Sequence, residues 1–227
     1  MAGNLLGGAQ PALPATLVEM TANRLRDAIL SGELEAGDRL GEEHLCSALG
    51  ISRAPLREAL RLLAQQGLVE HLPRRGTRVV AWSPTDVLEL FEVRAVLERH
   101  AVESALPLPD VTTALDPVRE ALERMRGAEG DLERDDAHRE FHASIVSLAG
   151  NRQLDVALAP VLLKLQLPMA RNLREEGRRR AGDGIARHQR LIEALESNDS
   201  AVVLAALVEH GHLDYLGLKP GAEPAAG

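Results

Sequence analysis

No stretch limits the fold of this chain more than residues 42 to 81, EEHLCSALGISRAPLREALRLLAQQGLVEHLPRRGTRVVA. Leu56, Ala59, Leu60 and Leu63 recur at spacings of three or four, so they share one face of a helix over 52–66. Arg53, Arg57 and Arg61 recur every four residues and fall on another face. Ser52 stands where its hydroxyl can cap the first turn. Pro55 is tolerated there because first-turn N–H groups have no partner within the helix. A shorter helix over 42–49 precedes this one, with Gly50 as the tight turn between them, and Gly67 stops the longer helix. LVEHL and TRVVA, separated by PRRG, then predict a two-strand hairpin turning at Pro73 to Gly76. Upstream, a helix over 16–30 places Leu17, Met20, Leu25, Ile29 and Leu30 on roughly one face, and Gly32 and Gly37 mark its end and a turn. Three helices and a basic-tipped hairpin predict a winged helix-turn-helix over residues 15–81.

From Ser83 onward the pattern is helical throughout. Ser83 is a suitable N-cap and Pro84 a first-turn proline. The periodicity predicts helices over 84–105, 109–127, 131–149, 151–174, 181–197 and 199–217, with Pro160 and Pro168 breaking or kinking the fourth. Aromatic residues make up only 2% of the chain, so Leu, Val and Ala must build the core, and a Leu/Ala/Arg/Glu-rich composition favours helix. The expected fold is mostly α: an N-terminal winged helix-turn-helix with a small β-hairpin wing, then a C-terminal all-α helical bundle over 82–218. Residues 1–14 and 219–227 are expected to be disordered tails. No apolar run is long enough to span a membrane. The single cysteine, Cys46, allows no internal disulfide, and MAGNLLGGAQPALPA lacks the basic start of a secretory signal. A cytoplasmic protein is expected.

The net charge of −8 is unevenly spread. Residues 1–80 carry nine Arg and nine acids, whereas residues 81–227 carry 17 Lys or Arg against 25 acids. Within the first part, residues 51–80 hold six Arg against Glu58 and Glu70, a local +4 on an acidic protein. Charge alone fits a solvated face. Combined with the helix-turn-helix, it fits a helix entering the major groove, where arginine reads guanine bidentately. Arg74 and Arg75 at the wing tip are placed to touch phosphate or a minor groove.

The second candidate site is a set of histidines. In DDAHREFHASI, His138 and His142 stand four apart, so both imidazoles leave one face of a helix and can share a metal ion. The spacing alone is a weak signal. Zincin proteases place a glutamate directly after the first histidine; here that residue is Arg139, and Glu140 lies about 200° around the helix, facing away. His188 in GIARHQRLIEAL and His210 in LAALVEHGHLDYL have apolar neighbours at helical spacing and lean toward an interior. His212 cannot share the direction of His210 on a regular helix, and His44, His71 and His100 read as surface or packing residues. Asp135, three residues before His138, is an alternative ligand, with His138 then a bystander. The other reading of the set is hydrogen-bonded pocket histidines holding an anionic effector directly. Arg94 is a candidate partner for such an effector or for a salt bridge to an adjacent helix, and Phe141 is expected in the core.

The stretch LGEEHLCSALGISRAPLREALRLLAQQGLVEHLPRRGTRV, with its lead-in RLRDAILSGELEAGDRL, resembles the DNA-binding domain of the GntR family of bacterial transcription regulators. The whole is similar to the FadR-like branch, whose C-terminal FCD domain is an all-helical ligand-binding module. The resemblance spans about residues 16–217. It implies that Arg53 and Arg57 are DNA-contacting arginines and Gly76 the wing glycine; Ser52, Arg61, Arg74 and Arg75 complete the expected surface. Some members carry arginine at the position of Glu43, which cannot hold a phosphate here. Many members also hold a divalent metal with an Asp-x3-His pair and single histidines on two later helices. His142, His188 and His210 match those histidines, while His138 stands in place of the Asp. Losing the carboxylate disfavours Mg²⁺, Ca²⁺ and Mn²⁺ and favours Zn²⁺, Ni²⁺, Co²⁺ or Cu²⁺.

The expectation is therefore a homodimeric transcription regulator, usually a repressor in this family, working in the bacterial cytoplasm on the nucleoid. It would bind a palindromic double-stranded operator and respond to a small carboxylic acid held in a metal-containing pocket. The alternative is a metal-dependent hydrolase or lyase with an accessory DNA-binding-like domain. No G-x-S-x-G motif supports it, and Cys46 belongs to the other domain.

Overall fold

The computed structural model describes residues 15–179 and 183–210, with side chains omitted over 170–183. The expected tails 1–14 and 219–227, the end of the last predicted helix and His212 lie outside the described residues.

Helix α1, Leu17–Ser31, opens on a capping box in which the Thr16 hydroxyl accepts from the Glu19 N–H and the Glu19 carboxylate accepts from the Thr16 N–H. It ends at Gly32, whose φ of 81° a glycine adopts without strain. Its buried stripe is Ala22, Leu25, Ala28 and Ile29. Leu17 and Met20, expected on that face, are 52% and 57% exposed because the first turn projects past the small core. Strand β1, Arg39–Leu40, follows, then α2, Glu42–Leu49, α3, Arg53–Gln65, β2, Val69–Leu72, and β3, Gly76–Val79. The wing is thus a three-stranded antiparallel sheet in the order β1-β3-β2, not a bare hairpin. Arg39 faces Arg78 and Leu40 faces Thr77 across the extra pair, which covers the second edge of β3. Leu25, Ile29, Leu40, Leu56, Leu60, Leu63 and Val79 fill the core of this head.

Ser52 occupies the N-cap of α3, but its hydroxyl makes no capping bond. The acceptor would bond the second or third helical N–H, and the third helical residue is Pro55, which has none.

The second part is α4, Pro84–Ala105, α5, Val111–Ala114, α6, Asp116–Gly127, α7, Asp131–Ser147, α8, Arg152–Arg179, α9, Asp183–Glu196, and α10, Ser200–His210. A Ser83–Asp86 capping box starts α4. The helix expected over 109–127 is two helices parted at Leu115, because Pro117 supplies no N–H to carry the hydrogen-bond ladder across this turn. By contrast α8 runs through Pro160 and Pro168 without breaking. Its buried face, Leu158, Leu162, Leu165 and Met169, holds it by packing where the lost hydrogen bonds would release it. Val102, Leu122, Phe141, Ile145, Leu195 and Val203 form the centre of the bundle. The Asn198 side chain accepts from the Leu108 N–H at 2.7 Å and donates to its carbonyl at 3.1 Å, tying the turn before α10 to the connection after α4.

Helix α8 also meets the head. Leu167 packs against the head core, and a Cβ added at Gly67 would lie 2.8 Å from Lys164 Cε. No described helix is long and apolar enough to cross a membrane.

Candidate DNA-reading surface and metal centre

The head presents its arginines outward. Arg53, Arg57 and Arg61 are exposed along α3, on a face about 110° around the helix from the stripe that buries Leu56, Ala59, Leu60 and Leu63. Arg61 pairs with Glu58 one turn back at 3.2 Å. Arg57 reaches across to α2, where its Nε lies 3.0 Å from each Glu42 carboxylate oxygen and a terminal nitrogen lies 2.9 Å from Oε2. That pairing holds the Glu42 carboxyl below its ordinary range. At the wing tip, Arg74, Arg75 and Gly76 are exposed; Arg74 has a φ of 60° and Gly76 one of 83°, both in the left-handed region. Glu43 is exposed on α2.

The histidines converge inside the bundle. His138 and His142 come from α7, His188 from α9 and His210 from the last described residue of α10. Each offers a ring nitrogen, and these atoms lie within 4.8 Å of one another. His142 Nε2 is 3.3 Å from His138 Nε2 and 3.4 Å from His210 Nε2. Those two separations match neighbouring nitrogens on a tetrahedral ion with bonds of about 2.0–2.1 Å, which lie about 3.3–3.4 Å apart, while the whole set spreads to 4.8 Å. His142, His188 and His210 are buried and His138 partly so.

The ring orientations suit ligation. The His142 Nδ1–H donates to Glu98 Oε1 at 2.7 Å, which leaves the lone pair on Nε2, facing its neighbours. The His188 Nδ1–H donates to the Gly184 carbonyl at 2.6 Å, and its buried Nε2 has no hydrogen-bond partner. Burial pushes His138, His142 and His210 well below the ordinary imidazole range and His188 down to about 4. Neutral imidazoles are the ligating form. The donor set therefore fits a metal ion, and a nitrogen-only set fits a transition metal better than a hard cation.

Asp135 is buried beside this group but is not among the converging ligand atoms. It lines a narrow cleft, partly open to solvent and with free room for about one water, with Arg94, His138, Gln166, Leu165 and Met169. Arg94 pairs with Glu98 one turn along its own helix, at 3.4 Å, and among the described residues not with a neighbouring helix. Its guanidinium also lies 5.0 Å from the Phe91 ring centroid. Phe141 is fully buried, its ring 4.8 Å from that of His188. Sequence reasoning missed Glu98. The signal was present: Val87, Phe91, Arg94, Glu98 and Ala101 follow one helical stripe, so both charges sit on the buried face. Burial pushes the Glu98 carboxyl upward, against the pull of Arg94.

Residues 17–79 match the family described as bacterial regulatory proteins, gntR family, and residues 89–213 match the FCD domain. The HTH-type transcriptional regulator YdhC of Bacillus subtilis is 28% identical over 87% of this chain and 88% of its own length. The probable D-xylose utilization operon transcriptional repressor of Paenarthrobacter nicotinovorans is 30% identical over 83% of this chain and 84% of its own. The crystal structure of a GntR regulator from Rhodococcus sp. RHA1 superposes with a TM-score of 0.73 at 27% identity, covering 89% of this chain and 99% of that one. These relatives are regulators and not enzymes, which removes the hydrolase or lyase alternative. The chain belongs to the GntR family of bacterial transcriptional regulators, in the branch that joins the winged helix-turn-helix to an FCD effector-binding domain.

Proposed function

We propose that the protein is a cytoplasmic, homodimeric repressor whose hold on a palindromic operator is set by a small carboxylic acid bound at a transition-metal site. In this reading Ser52, Arg53, Arg57 and Arg61 face the major groove, and Arg74, Arg75 and Gly76 lie along the backbone or minor groove. His138, His142, His188 and His210 hold Zn²⁺, Ni²⁺ or Co²⁺. Arg94, at the wall of the adjoining cleft, receives the carboxylate; His138 takes the ligand role, with Asp135 beside it. The D-xylose operon relative is named a repressor, which supports the direction of control. One observation carries the metal centre: a buried, unpartnered His188 Nε2 aimed among three further imidazoles. Such a lone pair is costly without a proton or a cation to meet it.

The test is elemental analysis and native mass spectrometry of the full chain as purified, followed by zinc titration of the chelator-treated protein. One first-row transition ion per chain is expected, bound far more weakly by His188→Ala. Failure of the parent to bind zinc, or equal binding by the variant, would overturn the metal centre.

A further inference from the structure

Three arginines share the exposed face of α3, and among the described residues Arg57 is the one that hydrogen-bonds a carboxylate on another helix. The contact is side-on. The Arg57 Nε–H is shared between the two Glu42 carboxylate oxygens at 3.0 Å each, and Nη2 on the same edge lies 2.9 Å from Oε2. Guanine presents O6 and N7 to two parallel N–H groups of one guanidinium edge. A guanidinium has two such edges, the side edge of Nε with one terminal nitrogen and the end edge of the two terminal nitrogens. Glu42 occupies the first and leaves the second.

The placement of the acid is also informative. Glu42 opens α2, whose free N–H groups would otherwise draw a phosphate. A carboxylate there repels the backbone of DNA, so the residue works against affinity at a surface otherwise rich in cations. Stability does not account for it, since both side chains are substantially exposed, at 62% for Arg57 and 35% for Glu42, and such pairs contribute little to folding.

We propose that Glu42 is a positioning residue for DNA reading: it holds the side edge of Arg57 so that only the end edge meets a base. This rests on the reading of α3 as the recognition helix. Fixing one edge and one direction restricts Arg57 to a single guanine per half-site and keeps it from swinging to a phosphate. Sequence discrimination gains and general DNA affinity does not.

The experiment is selection of binding sites from a random duplex pool by the full-length protein, by Glu42→Ala and by Arg57→Ala. It is followed by binding measurements on the selected duplex, single-base variants of it and a random duplex, with thermal melts of each protein. The parent should enrich a palindromic motif. Glu42→Ala should lose about tenfold discrimination at one G·C pair per half-site, the same pair that Arg57→Ala loses. Its affinity for the random duplex should hold or rise. In an Arg57→Ala background, Glu42→Ala should cause no further loss at that pair. A Glu42→Ala motif identical to that of the parent overturns the inference. So does a parallel loss of affinity for both duplexes with a lowered melting temperature, which would mark the pair as a simple tie between α2 and α3. A parent that enriches no motif overturns the operator reading itself, and this inference with it.

Discussion

Replacing Glu98 with glutamine isolates what the carboxylate does for the histidine cluster. Glu98 Oε1 accepts from the His142 Nδ1–H at 2.7 Å and lies 3.4 Å from Arg94 Nε, with all three side chains buried. Glutamine keeps an oxygen in reach of the imidazole and removes only the charge, which makes His142 less basic. Partners that hold a ligating imidazole change metal affinity by about 10- to 100-fold. Because the acceptor survives in Glu98→Gln, the lower end applies: about tenfold weaker zinc binding, or about 1.4 kcal/mol. Glu98→Ala is the harsher change. It strips the imidazole of its acceptor as well as the Arg94 guanidinium of the Glu98 charge, and removing one partner of a buried ion pair typically costs about 3–5 kcal/mol of folding stability. The assay is competition for zinc against a chromophoric chelator at neutral pH, with melting curves of the metal-free proteins run alongside. If folded Glu98→Gln bound zinc within a factor of two of the parent, Glu98 would have no part in tuning the site.

The metal-free protein should lose stability as the medium is acidified. His188 titrates near 6.5 in the unfolded chain and at about 4 in the folded one, so between those values the unfolded state holds more protons and stability rises with pH. His188 alone accounts for about 3 kcal/mol across that window, and His138, His142 and His210 act in the same direction. Urea midpoints of chelator-treated protein should fall from pH 7.5 to pH 5, and a flat profile would place these rings in water. Arg74→Gly at the wing should leave the melting temperature unchanged or slightly higher, since glycine accepts the φ of 60° without strain. It should also lower the salt slope of DNA binding by about 0.9 if Arg74 meets one phosphate; an unchanged slope would lift Arg74 off the backbone.

The parts of the molecule that follow long periodic patterns are the parts readable from sequence. The 84–105 helix begins and ends where its cap and periodicity place it, because 22 residues give the pattern room to declare itself. Strand β1 has only two residues, too few for any alternation, and exists because β3 offers it an edge. Leu115 parts two helices for a reason the sequence did display, Pro117, whereas Pro160 and Pro168 display the same reason and part nothing. The difference lies in packing, which periodicity does not weigh. Among the histidines, spacing brings His138 and His142 to one face but leaves Asp135 on it too. Seven residues separate Asp135 from His142, about two turns or about 10 Å of rise, and the reach of a short carboxylate decides its exclusion. Glu42 reads as one of two ordinary acids opening a helix until the fold brings Arg57 alongside.

Helix α8 sets the distance between the two halves of this regulator. Lys164 stands against Gly67, just past the end of the recognition helix, and Leu167 touches the head core. Leu165, Gln166 and Met169 of the same stretch line the cleft beside His138. Within six consecutive residues, about 8 Å of axis, the helix thus serves both compartments. The wall of the cleft and the seat of the head are opposite sides of one helix, so both halves share this stretch as a common strut.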